Sequence, residues 1–177
     1  MDSINRQQQE DNRDDLQSDE AIEKIKELSK GTCFFCTRRA LGESEGARPM
    51  AAQKVDDEGN LWFMSAIDSH KSLELAEDPT VDLYFQGSPH SDFLHLTGRA
   101  TISQDRSKIE ELWNPIVKTW FTEGKDDPRI TVIKVEPISG YYWDTKHGGM
   151  IAGIKMLIGA ATGKTMDDSI EGRVELR

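Results

Sequence analysis

The feature that most limits what this chain can fold into is a succession of short runs rich in β-branched and aromatic residues. They fall at about 32–40, 47–56, 60–66, 80–87, 93–103, 130–136 and 139–144. Runs of this length, separated by turn signals, read as short antiparallel strands. The segment "DDEGN" between the second and third runs predicts a hairpin turn with its glycine at the tip. A last strand is expected in the C-terminal "EGRVELR". Helical spacing occurs elsewhere. Ile22, Ile25 and Leu28 share a helical face, with Ser18 placed to cap the start and Gly31 to end the helix. A short helix is predicted over about 69–77, stopped by Pro79. A third helical region opens at Asp105 and restarts at Asn114-Pro115, with Asn as cap and Pro at the first position. The stripe Trp113, Trp120 and Phe121 reads as packing. The fold class expected is mainly β with α additions, a small β-barrel whose outer face needs cover from a second subunit.

Composition narrows the function classes. Residues 1–17 hold almost nothing to bury and read as a disordered polar tail, leaving 18–177 as a single domain. A net charge of −10 argues against nucleic acid as a ligand. The apolar-rich stretch 150–161 is too short and interrupted to span a bilayer, and no basic-then-apolar leader opens the chain, so a cytoplasmic protein is expected, with no membrane partner. The same stretch, with Ile151, Ile154 and Ile158 on one face, could close over the barrel as a helix.

Several motifs point nowhere. Cys33 and Cys36 have redox or zinc spacing, but on a strand residues three apart face opposite ways, so inert thiols are expected. "GAATGKT" at 159–165 has three residues, not four, between Gly159 and Gly163 and reads as a loop. His70, His90, His95 and His147 have no metal-ligand spacing. No metal site is expected.

The informative stretch is "LWFMSAIDSHKSLELAEDP", residues 61–79. A strand there hands over to a helix opened by Ser69, His70 and Lys71. A phosphate monoester wants hydroxyls, helix N-terminal amides and a cation, and this corner offers all three. Antiparallel pairing around the hairpin would bring Arg48 beside it and add a two-pronged contact. On spacing alone, an Arg and a Lys paired to surface carboxylates at a barrel rim is an equal reading.

The ordered set "RPMAAQKV", "GNLWFMSAIDSHKSLELAEDPTVDLYF", "LHLTGRATI", "KIEELWNP" and "YYWD" resembles the pyridoxamine 5'-phosphate oxidase-like FMN-binding split barrels, within them the general stress protein 26 branch. The resemblance spans about residues 18–145. It implies a split β-barrel homodimer that binds a flavin between its subunits: FMN, with FAD or a deazaflavin as alternatives. Arg48, Ser69 and Lys71 would hold the phosphate, with His70 beside it. Met50 and Ala51 would lie along the isoalloxazine ring, and Phe63, Met64 and Ser65 would line the ribityl chain and ring. The partner subunit's Trp143 would cover the flavin edge. The implied activity is flavin-dependent redox chemistry with no catalytic residue named. The alternatives are a non-enzymatic flavin store or sensor, a pyridoxal-phosphate or haem-handling relative, and a dimerisation module with an empty cleft. Two departures matter. No Arg accompanies His147 in the C-terminal region, which speaks against pyridoxamine-phosphate oxidation. Gln53 stands where the family has a flavin-contacting basic residue.

Overall fold

Strict two-residue alternation of buried and outward-facing side chains builds most of the molecule. The computed structural model describes residues 12–39, 46–88, 91–145 and 169–176. Nine strands form its sheet: β1 Leu16–Gln17, β2 Thr32–Thr37, β3 Ala47–Ala51, β4 Lys54–Val55, β5 Leu61–Ala66, β6 Thr80–Gln86, β7 Phe93–Ser103, β8 Ile130–Thr145 and β9 Ser169–Glu175. Four α-helices and a 3-10 turn at Gly124–Asp126 decorate it: α1 Ser18–Leu28, α2 His70–Glu77, α3 Arg106–Leu112 and α4 Pro115–Lys118. Phe35, Leu61, Phe63, Val81, Leu83, Leu94 and Leu96 fill the interior. Ala21, Ile25 and Leu28 seal it from α1. A second, smaller core gathers Ile109, Leu112, Val117, Phe121, Ile130 and Val132 under α3 and α4.

β8 organises the topology. One edge pairs with β7 over 132–143. The other edge is divided, with β5 taking 130–135 and β9 taking 140–145. The two runs expected at 130–136 and 139–144 are therefore one strand. Pro137, which has no N–H for a ladder, falls at a bulge opposite Thr97 and Gly98 and is tolerated there.

The expected hairpin arm 47–56 is instead two strands. Only Lys54–Val55 pairs with β5, while Ala47–Ala51 crosses to β2. Pro49 fits that arrangement, because β3 closes one end of the sheet order and Pro is confined to edge strands. The turn itself is as expected. Asp56 accepts from the backbone N–H groups of Glu58 and Asn60 and from the Trp62 indole, and Gly59 takes a positive φ of 82°.

Three further expectations are corrected. Ser18 does not cap α1: Gln17 holds the cap position without a side-chain bond, and Ser18 sits at φ 49°, because strand β1 turns into the helix with no intervening loop. Leu16 is buried, and residues from Asn12 to Gln17 run beside β9, so this part of the expected tail joins the sheet. Trp120 is 77% exposed rather than packed, because α4 is only one turn long and the chain swings away after it; Phe121 enters the core in its place.

Cys33 and Cys36 are free thiols on opposite faces of β2. Burial pushes the Cys33 thiol up to about 12. Among the described residues no helix is long and apolar enough to cross a membrane, and no cluster of His, Cys, Asp or Glu could hold a metal. The loop at 159–165, the apolar stretch 150–161, His90 and His147 lie outside the described residues.

Candidate functional site

The junction of β5 and α2 draws cations to one corner. Ser69 caps α2, its hydroxyl accepting from the Ser72 backbone N–H. The Ser69 hydroxyl lies 3.3 Å from that of Ser65 and 3.0 Å from that of Ser72. Lys71 Nζ donates to Ser65 Oγ and, at 3.3 Å, to Ser69 Oγ. Ser65 is the second-last residue of β5, so strand and helix each supply a hydroxyl to the same ammonium.

Arg48 arrives from β3, by a route the hairpin argument did not foresee. Its guanidinium donates to Glu74 Oε2 at 2.7 Å. Glu74 follows Lys71 by three residues on α2 and therefore shares its face. Arg48 is close enough for its charge to act on Lys71. Burial, chiefly, and then that neighbouring charge push the Lys71 ammonium down to about 8, while Glu74 pulls the other way.

The charged form of Lys71 is disfavoured in this arrangement. Lys71 stands at the N-terminal, positive end of a helix, where anions are favoured, and the second cation, Arg48, is paired with Glu74 but still repels Lys71. Lys71 is also largely desolvated. Such a set is suited to a doubly charged phosphate ester, which would accept from the guanidinium, the ammonium, the hydroxyls and the helix amides. The rim reading of Arg48 is also partly met, because Arg48 does pair with a carboxylate. That carboxylate, however, is buried rather than at the surface.

The remaining expected site residues are distributed differently. His70 is exposed at the first position of α2. Met50 packs partly into the main core, its carbonyl accepting from Cys33 Sγ, while Ala51 faces outward. The Phe63 side chain is fully buried and meets Phe35 edge-on at 5.3 Å, so only its backbone could line a ligand. Met64 lies on the opposite face of β5, against the second core. Trp143 belongs to a separate aromatic groove of ≈520 Å³ on the outer sheet face, lined by Phe34, Tyr84, Phe93 and His95 among others. Tyr84 and His95 stack there with ring centroids 4.5 Å apart. Gln53 turns away from the corner, its side chain bonded to the Ala51 carbonyl and to Asn114.

Sequence reasoning missed Glu74, Thr37 and Ser72. A Glu three residues after a Lys in a short helix was the available signal for the first. Thr37 carried none, since only the β2–β3 and β2–β6 pairing brings it to Glu74.

A model of the family described as pyridoxamine 5'-phosphate oxidase like matches residues 20–167. The chain belongs to that family. Solved structures agree on its split-barrel fold. A candidate general stress protein 26 from Jannaschia sp. CCS1 superposes with a TM-score of 0.70 at 22% identity, covering 87% of this chain and 94% of that one. The general stress FMN/FAD binding protein of Xanthomonas citri gives a TM-score of 0.56 at 28% identity, covering 66% of this chain and 82% of its own. Protein bli-3 of Neurospora crassa is 30% identical over 105 residues, 54% of this chain. The chain spans about half the length of that relative, 50% of it.

Proposed function

We propose that this chain is an FMN-binding, flavin-dependent oxidoreductase acting as a homodimer. The observation that carries the reading is the start of α2, where a largely buried Lys71 ammonium and the Glu74-paired Arg48 guanidinium stand beside the Ser65 and Ser69 hydroxyls. The anion is the phosphate of FMN, held by Lys71 and Arg48 and by the hydroxyls of Ser65 and Ser69. The terminal monoester of FMN suits a corner that closes on one phosphate. Membership of the family supports the choice of ligand, as does the likeness to the FMN/FAD binding protein of Xanthomonas citri.

The rest of the cofactor follows from the strands leaving this corner. Met50 and Ala51 offer backbone polar groups along β3, three residues or fewer from Arg48. The backbone of Phe63–Ser65 offers a second wall along β5, with the Phe63 ring itself kept in the core. The flavin supplies hydride and electron transfer when bound; the chain binds, orients and shields it. Cover for the open side comes from a second subunit. Phe34, 61% exposed, Tyr84 and Trp143 form an apolar outer face of the kind two copies bury against each other. In that dimer the partner subunit's Trp143 reaches the flavin edge.

The test is paired titration of the purified protein with FMN and riboflavin. Arg48→Ala with Lys71→Ala should weaken FMN far more than riboflavin. Each lost charge-assisted hydrogen bond costs on the order of 1.5–3 kcal/mol, about ten- to hundredfold in affinity. Equal weakening of both ligands would show that the phosphate lies elsewhere. Reduction of the bound flavin by NADH or NADPH separates an enzyme from a store.

A further inference from the structure

Glu74 is a carboxylate with no exposure to solvent. Its Oε2 accepts from the Thr37 hydroxyl at 2.6 Å and from the Arg48 guanidinium at 2.7 Å. Burying a charge is costly even when it is paired, and a well-packed apolar residue usually serves stability as well or better. Stability alone is therefore a weak reason for an ion pair at this place. Its geometry offers a stronger one. Arg48 springs from an edge strand on a long side chain with many rotamers. It must converge with Lys71 on one small anion, yet the two cations repel. Glu74 sits behind them on the same helical face as Lys71. Thr37, whose backbone N–H also bonds Gly46, fixes the carboxylate from β2. Three elements, β2, β3 and α2, are thus tied at one oxygen.

We infer that Glu74 is a positioning residue that holds the Arg48 guanidinium toward Lys71, so that the phosphate cradle stands assembled before its ligand arrives. The inference rests on the flavin reading above and adds a residue to it. Glu74 touches no ligand; it acts through Arg48, and Thr37 acts through Glu74.

The experiment compares FMN and riboflavin dissociation constants for the full chain, Glu74→Gln, Thr37→Val, Arg48→Ala and the Arg48→Ala/Glu74→Gln double variant. Expected for Glu74→Gln is a loss of about tenfold or more in preference for FMN over riboflavin, with riboflavin affinity within about twofold. In the Arg48→Ala background the same change should leave the preference within about twofold, because the group it positions is gone. Glu74→Gln should also move the alkaline limit of FMN binding to lower pH, because the Glu74 charge supports the Lys71 ammonium directly; the comparison in the Arg48→Ala background, made at pH 7 where that ammonium is charged, isolates the part that runs through Arg48. Thr37→Val is close in shape and keeps the test open should Glu74→Gln not fold; it should lower the preference in the same direction by about threefold. Equal weakening of both flavins would overturn the inference, as would a full effect of Glu74→Gln without Arg48. Where the unaltered chain binds FMN selectively and neither Glu74→Gln nor Thr37→Val disturbs that, this inference alone fails. Where the unaltered chain binds no flavin, the flavin reading fails and takes the inference with it.

Discussion

Lys71 makes the pH dependence of binding the most exacting test of the corner. Its ammonium is pushed down to about 8 by burial and by Arg48. The phosphate of FMN, with a second pKa of about 6, is dianionic throughout neutral and mildly alkaline solution. Bound beside it, the ammonium regains a favourable partner and its pKa rises. Binding above about pH 8 must then take up a proton, so affinity is full below that point and is lost as pH rises through it. At about pH 9 roughly a tenth of empty sites carry the charge, and the FMN dissociation constant should be about tenfold weaker than at pH 7. Riboflavin has the same ring and no phosphate, so any titration in the ring cancels in the ratio. The assay is quenching of flavin fluorescence on titration with protein, read at intervals of pH. Lys71→Arg should flatten the ratio, because guanidinium keeps its proton across the range. The empty protein gives an independent reading. A lysine depressed in the folded state means that the unfolded chain binds more protons between about pH 8 and 10.5. Stability should therefore rise across that window, by up to about 3 kcal/mol relative to Lys71→Gln. An FMN-to-riboflavin ratio that stays level from neutral to alkaline pH would refute the reasoning.

Two other outcomes are expected. Phe63→Ala should cost about 3–5 kcal/mol in chemical denaturation. FMN affinity per folded molecule should change little, because that ring packs on Phe35 and not on a ligand. Gly172→Ala should detach the segment beside β9, since a Cβ there would lie 1.8 Å from the Asp14 carbonyl oxygen. That carbonyl also accepts from the Tyr142 hydroxyl at 2.8 Å. Thermal melting should register a loss of about 1–3 kcal/mol, and proteolysis ahead of α1 should quicken.

Local signals carried much of this fold into view. The start of α2 follows from Ser69 and its end from Pro79. The restart of the third helical region follows from Asn114, whose side chain accepts from the Ile116 and Val117 N–H groups. Each depends on chemistry within four residues. What stayed hidden depends on partners far along the chain. β5 reads Leu-Trp-Phe-Met-Ser-Ala, apolar at almost every position, because it is covered on both faces. Such a run has no phase, and so the burial of Phe63 in the main core could not be told from its exposure in a cleft. Arg48 was expected at the right corner for the wrong reason: β3 pairs with β2, and proximity to Lys71 comes through Glu74 instead. The corner itself was legible because Ser69 and Lys71 belong to one short helix start, while Glu74 and Thr37 became site residues only through tertiary pairing.

Pro49 bears on how copies of this chain can meet. A strand that ends a sheet normally presents a row of donors and acceptors to which another chain can add, copy after copy. β3 ends this one, and a proline in its middle removes a donor from the short row. Growth by lengthening the ladder is discouraged at that margin. At that margin, contact between copies is left to side chains rather than to the backbone ladder.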